Sequence, residues 1–265
     1  MKKILIFIYF LLLNFIFTIN VHAEGLEVEC EIIKNCKKNK YIAFLNYQKK
    51  TNEIENGEAK KNSNHIILFL PGGTGHSYFA LTTKWIGELN KNIDIAVMIP
   101  GYKMPNPKGD PPLRYSKDYQ EKIKSSVNYL KQKYKKSVWL MGHSAGGPGV
   151  AGFLKTYKNS EEYIAGAIFS GANSKSRSGS HKKNLPILII HHKDDRCVSN
   201  SYSGAKQKLK KYQKTNNSVT KLVTIEGGGP FKNDPCKGWG NRHSFEGKEK
   251  EYAEAILKFI KENTK

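Results

Sequence analysis

Arginine is scarce in this chain. Of 44 lysine and arginine side chains in 265 residues only four are arginine, at positions 114, 177, 196 and 242. A surface that reads nucleic acid or another polyanion leans on the bidentate guanidinium fork, and here that fork is nearly missing. The lysines are spread over the whole length without interleaved aromatics, so the formal net charge of +21 reads as a solvated basic face. No nucleic-acid partner is expected. Cysteine is sparse too, with four residues, Cys30, Cys36, Cys197 and Cys236, and none in the C-x-x-C spacing of a structural zinc site. The adjacent His191 and His192 stand on a strand end, where neighbours point opposite ways, which disfavours a shared metal. No metal and no organic cofactor is expected. There are no internal repeats and no low-complexity segment beyond a general richness in lysine and asparagine.

The one long apolar run is at the start. Lys2 and Lys3 precede Ile4 to Ile19, and Val21-His22-Ala23 follows as a small-x-small cleavage signal. This is the layout of a secretory signal peptide over residues 1–23, and the run is short for the roughly 20 residues a membrane span needs. The expectation is an exported protein, periplasmic or secreted, with no stable membrane anchor after cleavage. The remaining 24–265 suits one α/β domain. Export makes an even cysteine count favour two disulfides. Three connectivities exist; Cys30 and Cys36 are near enough for a small local loop, which leaves Cys197 with Cys236. Closing that second loop of about 40 residues contributes roughly 4 kcal/mol in the chain-entropy model.

Strand and helix patterns alternate along the chain. Apolar runs predict strands at Leu26 to Ile33, Tyr41 to Tyr47, His65 to Leu70, Ile93 to Ile99, Val138 to Met141, Tyr163 to Phe169, Leu185 to Ile190 and Val219 to Ile225. Helices are expected at Ser77 to Leu89, Ser116 to Tyr134, Gly146 to Tyr157, Tyr202 to Tyr212 and Lys248 to Ile260. In the second of these, Tyr119, Ile123, Val127 and Leu130 recur at amphipathic spacing. The Pro-rich stretch Met104 to Arg114 is expected to be irregular. Alternation of this kind argues a doubly wound, mainly parallel sheet flanked by helices. Only a short polar linker, Ser170 to Asn184, follows the sixth strand, so no large cap is expected.

Val138 to Met141 runs into Gly142-His143-Ser144-Ala145-Gly146, a G-x-S-x-G turn between strand and helix. A serine on so sharp a turn leaves no room for a Cβ two residues to either side. A nucleophilic serine needs a base, and the base an orienting acid. Asp194 and Asp195 follow the strand Leu185 to Ile190, and His243 follows the last strand. Ser144, Asp195 and His243 stand in the order nucleophile, acid, base, with Asp194 as the alternative acid.

With these parts the chain resembles the α/β-hydrolase superfamily over essentially its whole mature length. The resemblance rests on the elbow Gly142 to Gly146, the turn Pro71-Gly72-Gly73, the acid loop and the segment His243-Ser244-Phe245. It departs from the pattern in opening the turn with Pro-Gly-Gly, where His-Gly is common, and in doubling the acid. The family places its acid three residues before a valine, which suits Asp195 and Val198. It implies oxyanion donors at the backbone N–H of Ala145 and of Gly73, with Thr74 as the neighbouring option, and an acyl substrate, an ester before a thioester, lipid or peptide. His76 beside that turn is a candidate substrate contact. So are Arg196 and Arg242, which flank acid and base, and Arg114 in the loop after a strand; guanidinium groups there would read a carboxylate or phosphate, and otherwise form surface salt bridges. The competing expectation is a non-enzymatic protein on the same scaffold that contacts anionic polymers. The sequence leaves the oligomeric state open.

Overall fold

The apolar run at 65–70 forms β3 (His65–Leu70), and every residue after His65 is buried. Ile66, Leu68 and Leu70 face one helical layer while Ile67 and Phe69 face the other. A strand covered on both faces has no polar side to show, which is why it reads as a continuous run rather than an alternation. The structure, a computed structural model, describes residues 26–27, 40–45, 62–72, 84–98, 111–172, 183–197, 199–229, 236 and 240–264.

Among these residues the strands are β1 (Leu26–Glu27), β2 (Lys40–Leu45), β3, β4 (Asp94–Met98), β5 (Ser137–His143), β6 (Gly166–Ser170), β7 (Ile187–His192) and β8 (Thr220–Ile225). They form one sheet in the order β1-β2-β4-β3-β5-β6-β7-β8. The six strands from β4 to β8 are parallel to one another. β1 and β2 extend the β4 edge in antiparallel fashion. The mainly parallel, doubly wound expectation is met, with an antiparallel margin.

The helices are α1 (Lys84–Asn90), α2 (Pro111–Arg114), α3 (Lys117–Tyr134), α4 (Gly147–Thr156), α5 (Tyr202–Thr215) and α6 (Glu249–Glu262). Tyr119, Ile123, Val127 and Leu130 of α3 pack with Phe153 and Leu154 of α4 and Tyr212 of α5 on the face of Leu68. Trp85 and Leu89 of α1 pack with Tyr252, Ile256 and Phe259 of α6 on the face of Phe69. Burying side chains of this size contributes about 1.5–3 kcal/mol each. Two helices of the first layer are anchored locally: the Ser116 hydroxyl accepts the Tyr119 N–H at the start of α3, and Ser201 accepts that of Gly204 at the start of α5, the usual N-cap bond.

Three expectations are corrected. The stretch 104–114 is not irregular to its end, because α2 closes it; Pro111 sits at the first helical position, where its fixed φ suits a helix and its missing N–H costs nothing. The sixth strand begins at Gly166 rather than Tyr163, since a 3₁₀ turn at Ser160–Glu162 carries the chain up to the sheet. The elbow helix opens with a 3₁₀ turn, Ser144–Gly146, before α4. The leader 1–23, Cys30, Cys36, Gly73, Thr74, His76 and most of the linker after β6 lie outside the described residues.

The chain leaves β3 toward β4 on one side and returns to place β5 on the other. In an open parallel sheet such a reversal leaves a crevice at the carboxyl ends of the strands. Pro71-Gly72 follows β3 there, Ser144 follows β5, and Asp195 follows β7.

Candidate active site

Ser144 has φ +52°. A non-glycine residue in that region costs of order 1–3 kcal/mol and persists only where its surroundings hold it. Here the surroundings are glycine. A Cβ on Gly142 would lie 2.5 Å from the Gly146 carbonyl oxygen, and one on Gly146 would strike the Leu70 carbonyl. On the other side a Cβ on Gly72 would lie 2.8 Å from Cβ of Ser144, so Gly72, just after β3, is packed directly against the serine. Ala145 follows Ser144 in the 3₁₀ turn, at the N-terminal end of the helical segment that α4 continues. Backbone N–H groups at such an end have no helical partner and favour negative charge.

Asp195 is buried in the loop after β7. Its Oδ2 is 2.7 Å from Nδ1 of His243 and 3.3 Å from Nε2 of His191, and its Oδ1 accepts the Cys197 N–H at 2.9 Å. Burial alone would raise its pKa. The bonds from His191 and His243, the charge of His243 and the Cys197 N–H outweigh burial and hold the carboxyl well below the usual range. An ionised carboxylate only accepts, so Nδ1 of His243 donates and Nε2 is left as the acceptor. Asp194 is exposed and meets Arg242 Nη1 at 3.6 Å. Of the two candidate acids, Asp195 is the one beside His243.

His243 rides on a turn closed by Asn241 and Ser244, where the Ser244 N–H donates to Asn241 Oδ1 at 2.9 Å and the Ser244 hydroxyl donates to the Asn241 carbonyl at 2.9 Å. Beneath it lies His143, fully buried, whose Nδ1 is 3.0 Å from Ser170 Oγ. Tyr252 in α6 donates to that same hydroxyl at 2.5 Å. Burial first, and then the neighbouring His243, push the His143 pKa well below its ordinary value. Cys197 and Cys236 form a disulfide with Cα atoms 4.8 Å apart, the first lying two residues past Asp195 and the second seven before His243.

Two further residues belong to this group: His191, which the sequence suggested only as a metal ligand, and Asn200, which it did not mark. His191 donates from Nε2 to the Asn200 carbonyl at 2.6 Å as well as facing Asp195. Asn200 places its side-chain Nδ2 3.1 Å from Ser144 Oγ and 3.2 Å from His243 Nε2. It therefore stands between Ser144 and His243. Nothing in spacing marks it: it lies five residues past Asp195, immediately before the N-cap of α5. His192 faces away, its Nε2 donating to the Gly227 carbonyl at 2.8 Å and its Nδ1 accepting the Asp194 N–H at 3.1 Å. Of the arginines, Arg196 is exposed, Arg242 faces Asp194, and Arg114 is buried with Nη1 donating to Tyr119 at 3.2 Å.

Comparison with known proteins agrees with this architecture. The family model of lecithin:cholesterol acyltransferase matches residues 112–224, a span that carries Ser144 and Asp195 and stops before His243. No curated protein sequence matches the chain. Among solved structures, Est1E from Butyrivibrio proteoclasticus with ferulic acid bound is 16% identical with a TM-score of 0.57, covering 90% of this chain and 99% of its own. Dienelactone hydrolase from Anabaena variabilis is 10% identical with a TM-score of 0.58, covering 91% and 97%. The Bacillus cereus carboxylesterase is 14% identical with a TM-score of 0.52, covering 82% and 93%. The chain has the α/β-hydrolase fold.

Proposed function

We propose that this protein is an exported serine hydrolase that cleaves ester or related acyl bonds. The observation that carries the reading is that Oγ of Ser144, a residue held at φ +52°, and Nε2 of His243 both lie within 3.2 Å of Asn200 Nδ2, while Nδ1 of the same histidine lies 2.7 Å from a buried carboxylate. Strained backbone at the head of a helix, a base and an ionised acid have no need to share one sheet edge unless they act together.

In this reading the Ser144 oxygen attacks the acyl carbon while its proton passes to His243 Nε2. Asp195 holds the imidazole in the tautomer that leaves Nε2 free to accept, and stabilises the imidazolium once formed. The oxyanion that develops is met by the Ala145 N–H and by an N–H of the turn beginning at Pro71-Gly72, with Gly73 the expected donor. His243 then returns the proton to the leaving group, and water repeats the sequence on the acyl-enzyme. Thr74, His76, Arg196 and Arg242 are the candidate contacts to the substrate. Export is supported by the layout of residues 1–23 and by the Cys197–Cys236 bridge, since disulfides persist in oxidising compartments.

A fluorophosphonate probe tests the reading. Folded wild type is expected to be labelled stoichiometrically and Ser144→Ala not at all. No labelling of folded wild type sinks it and favours a binding protein on this scaffold; undiminished labelling of Ser144→Ala moves the nucleophile elsewhere.

A further inference from the structure

Asn200 is buried, and its side chain meets both atoms between which a proton must move. Nδ2 lies 3.1 Å from Ser144 Oγ, 3.2 Å from His243 Nε2 and 3.3 Å from the disulfide sulfur of Cys197. The tautomer of His243 assigns the amide: Nδ1 donates to Asp195, so Nε2 is an acceptor and the atom facing it is the NH₂. The backbone fixes the side chain's origin, because the Asn200 N–H donates to the Cys197 carbonyl at 2.8 Å and the Asn200 carbonyl receives His191 at 2.6 Å. Oδ1 is buried and accepts nothing among the described residues. The side chain is thus held at its base and, at its tip, mainly by the two atoms that react.

Both of those atoms stop accepting during acylation. The Ser144 oxygen spends a lone pair on the new bond to carbon, and Nε2 of His243 takes the serine proton. A buried amide donor would then be stranded, which is costly unless a new acceptor arrives. The leaving group is that acceptor. It must come within hydrogen-bond reach of Nε2 to collect its proton, and Nδ2 is 3.2 Å from Nε2.

We propose that Asn200 is a catalytic residue that passes its side-chain N–H from Ser144 and His243 to the leaving-group atom, and so makes the site selective for oxygen esters over thioesters. The proposal rests on the serine-hydrolase reading of the same site. Proton and bond changes balance without a further reactant: the Ser144 O–H bond breaks as the oxygen–carbon bond forms, the proton rides on Nε2, and it leaves with the alcohol as the scissile carbon–oxygen bond breaks. The amide donates a hydrogen bond throughout and transfers no proton. Alkoxide oxygen is a strong acceptor and sulfur a weak one, so the contact has value for one substrate class and little for the other.

The experiment compares an aryl-free acetate ester and the matching thioacetate of the same alkyl group on wild type, Asn200→Ala and Asn200→Leu. Loss of one donor to a developing negative charge is expected to lower kcat/KM for the oxoester by about 10- to 100-fold, and for the thioester by less than about threefold. The wild-type preference for the oxoester should therefore collapse in both variants. A variant that folds poorly lowers both substrates by the same factor, so the ratio of the two still reports on the donor. An unchanged ratio overturns the proposal, whether both rates fall together or neither moves. Fluorophosphonate labelling, run alongside, separates the two levels: wild type labelled with an unchanged ratio rejects the role of Asn200 alone, whereas unlabelled wild type rejects the site reading and this proposal with it.

Discussion

His143 and His243 lie ring against ring, with centroids 4.8 Å apart and planes 35° from parallel. The lower ring is the floor on which the upper one rests, and it is kept neutral by burial. In the unfolded chain the same imidazole takes a proton near pH 6.5, so below that pH the unfolded state binds more protons than the folded one. The stability linked to His143 is present above about pH 6.5 and lost as the pH falls. His143→Phe keeps a ring beneath His243 and removes the titration. Urea unfolding at a series of pH values should show a shallower acid-side loss in the variant, with a cost of about 1 kcal/mol at neutral pH from the Ser170 contact; an acid limb as steep as wild type contradicts the assignment.

The two neighbouring carboxylates differ by exposure and by partner. Asp195→Asn leaves the shape and removes the charge that orients His243, so kcat is expected to fall roughly 10³- to 10⁴-fold. Asp194→Asn loses an exposed contact to Arg242 and should stay within about twofold, as such pairs contribute about 0–1 kcal/mol. Ester turnover by the two variants decides between them, and a reversed order of loss moves the acid.

The bridge Cys197–Cys236 spans 39 residues and ties the loop of Asp195 and Asn200 to the loop of His243. Reduction releases a constraint worth roughly 4 kcal/mol in the chain-entropy model and loosens acid and base together. Thermal unfolding and ester turnover, each with and without reductant, should fall in step. Full activity with both thiols free by mass spectrometry would show that the bridge is dispensable to the site.

Lys208 of α5 is buried with Nζ 5.0 Å from the centre of the Phe169 ring. Burial, helped by the charge of Lys211, lowers its pKa to about 7. The unfolded lysine keeps its proton to about pH 10.4. Between these values the unfolded state binds more protons, so stability rises with pH through that window. Lys208→Met should flatten the rise and be the more stable protein near pH 6, measured by denaturant midpoints from pH 6 to 9. A slope equal to that of wild type rejects it.

Much of the sheet is legible in the chain because buried parallel strands leave no polar alternation. His65–Leu70 and Leu185 to Ile190 stand out as apolar runs, and Tyr119, Ile123, Val127 and Leu130 announce one face of α3. Pro111–Arg114 escapes because one turn of helix is too short to show a period. The glycines at 142 and 146 are legible for a steric reason that is local: a Cβ at either would meet backbone within the same elbow or the adjoining β3.

What the sequence by itself determined is therefore the order of elements, the elbow at Ser144, and the placing of Asp195 and His243 on loops after β7 and β8, since each follows from local pattern and chain order. What only the tertiary structure decided is which carboxylate reaches His243, that His143 forms its floor, and that His191 braces the acid. The place of Asn200 between Ser144 and His243 belongs to the same class. Those facts depend on side-chain direction across strands that lie dozens of residues apart, and a spacing in sequence carries no information about where two loops meet in space.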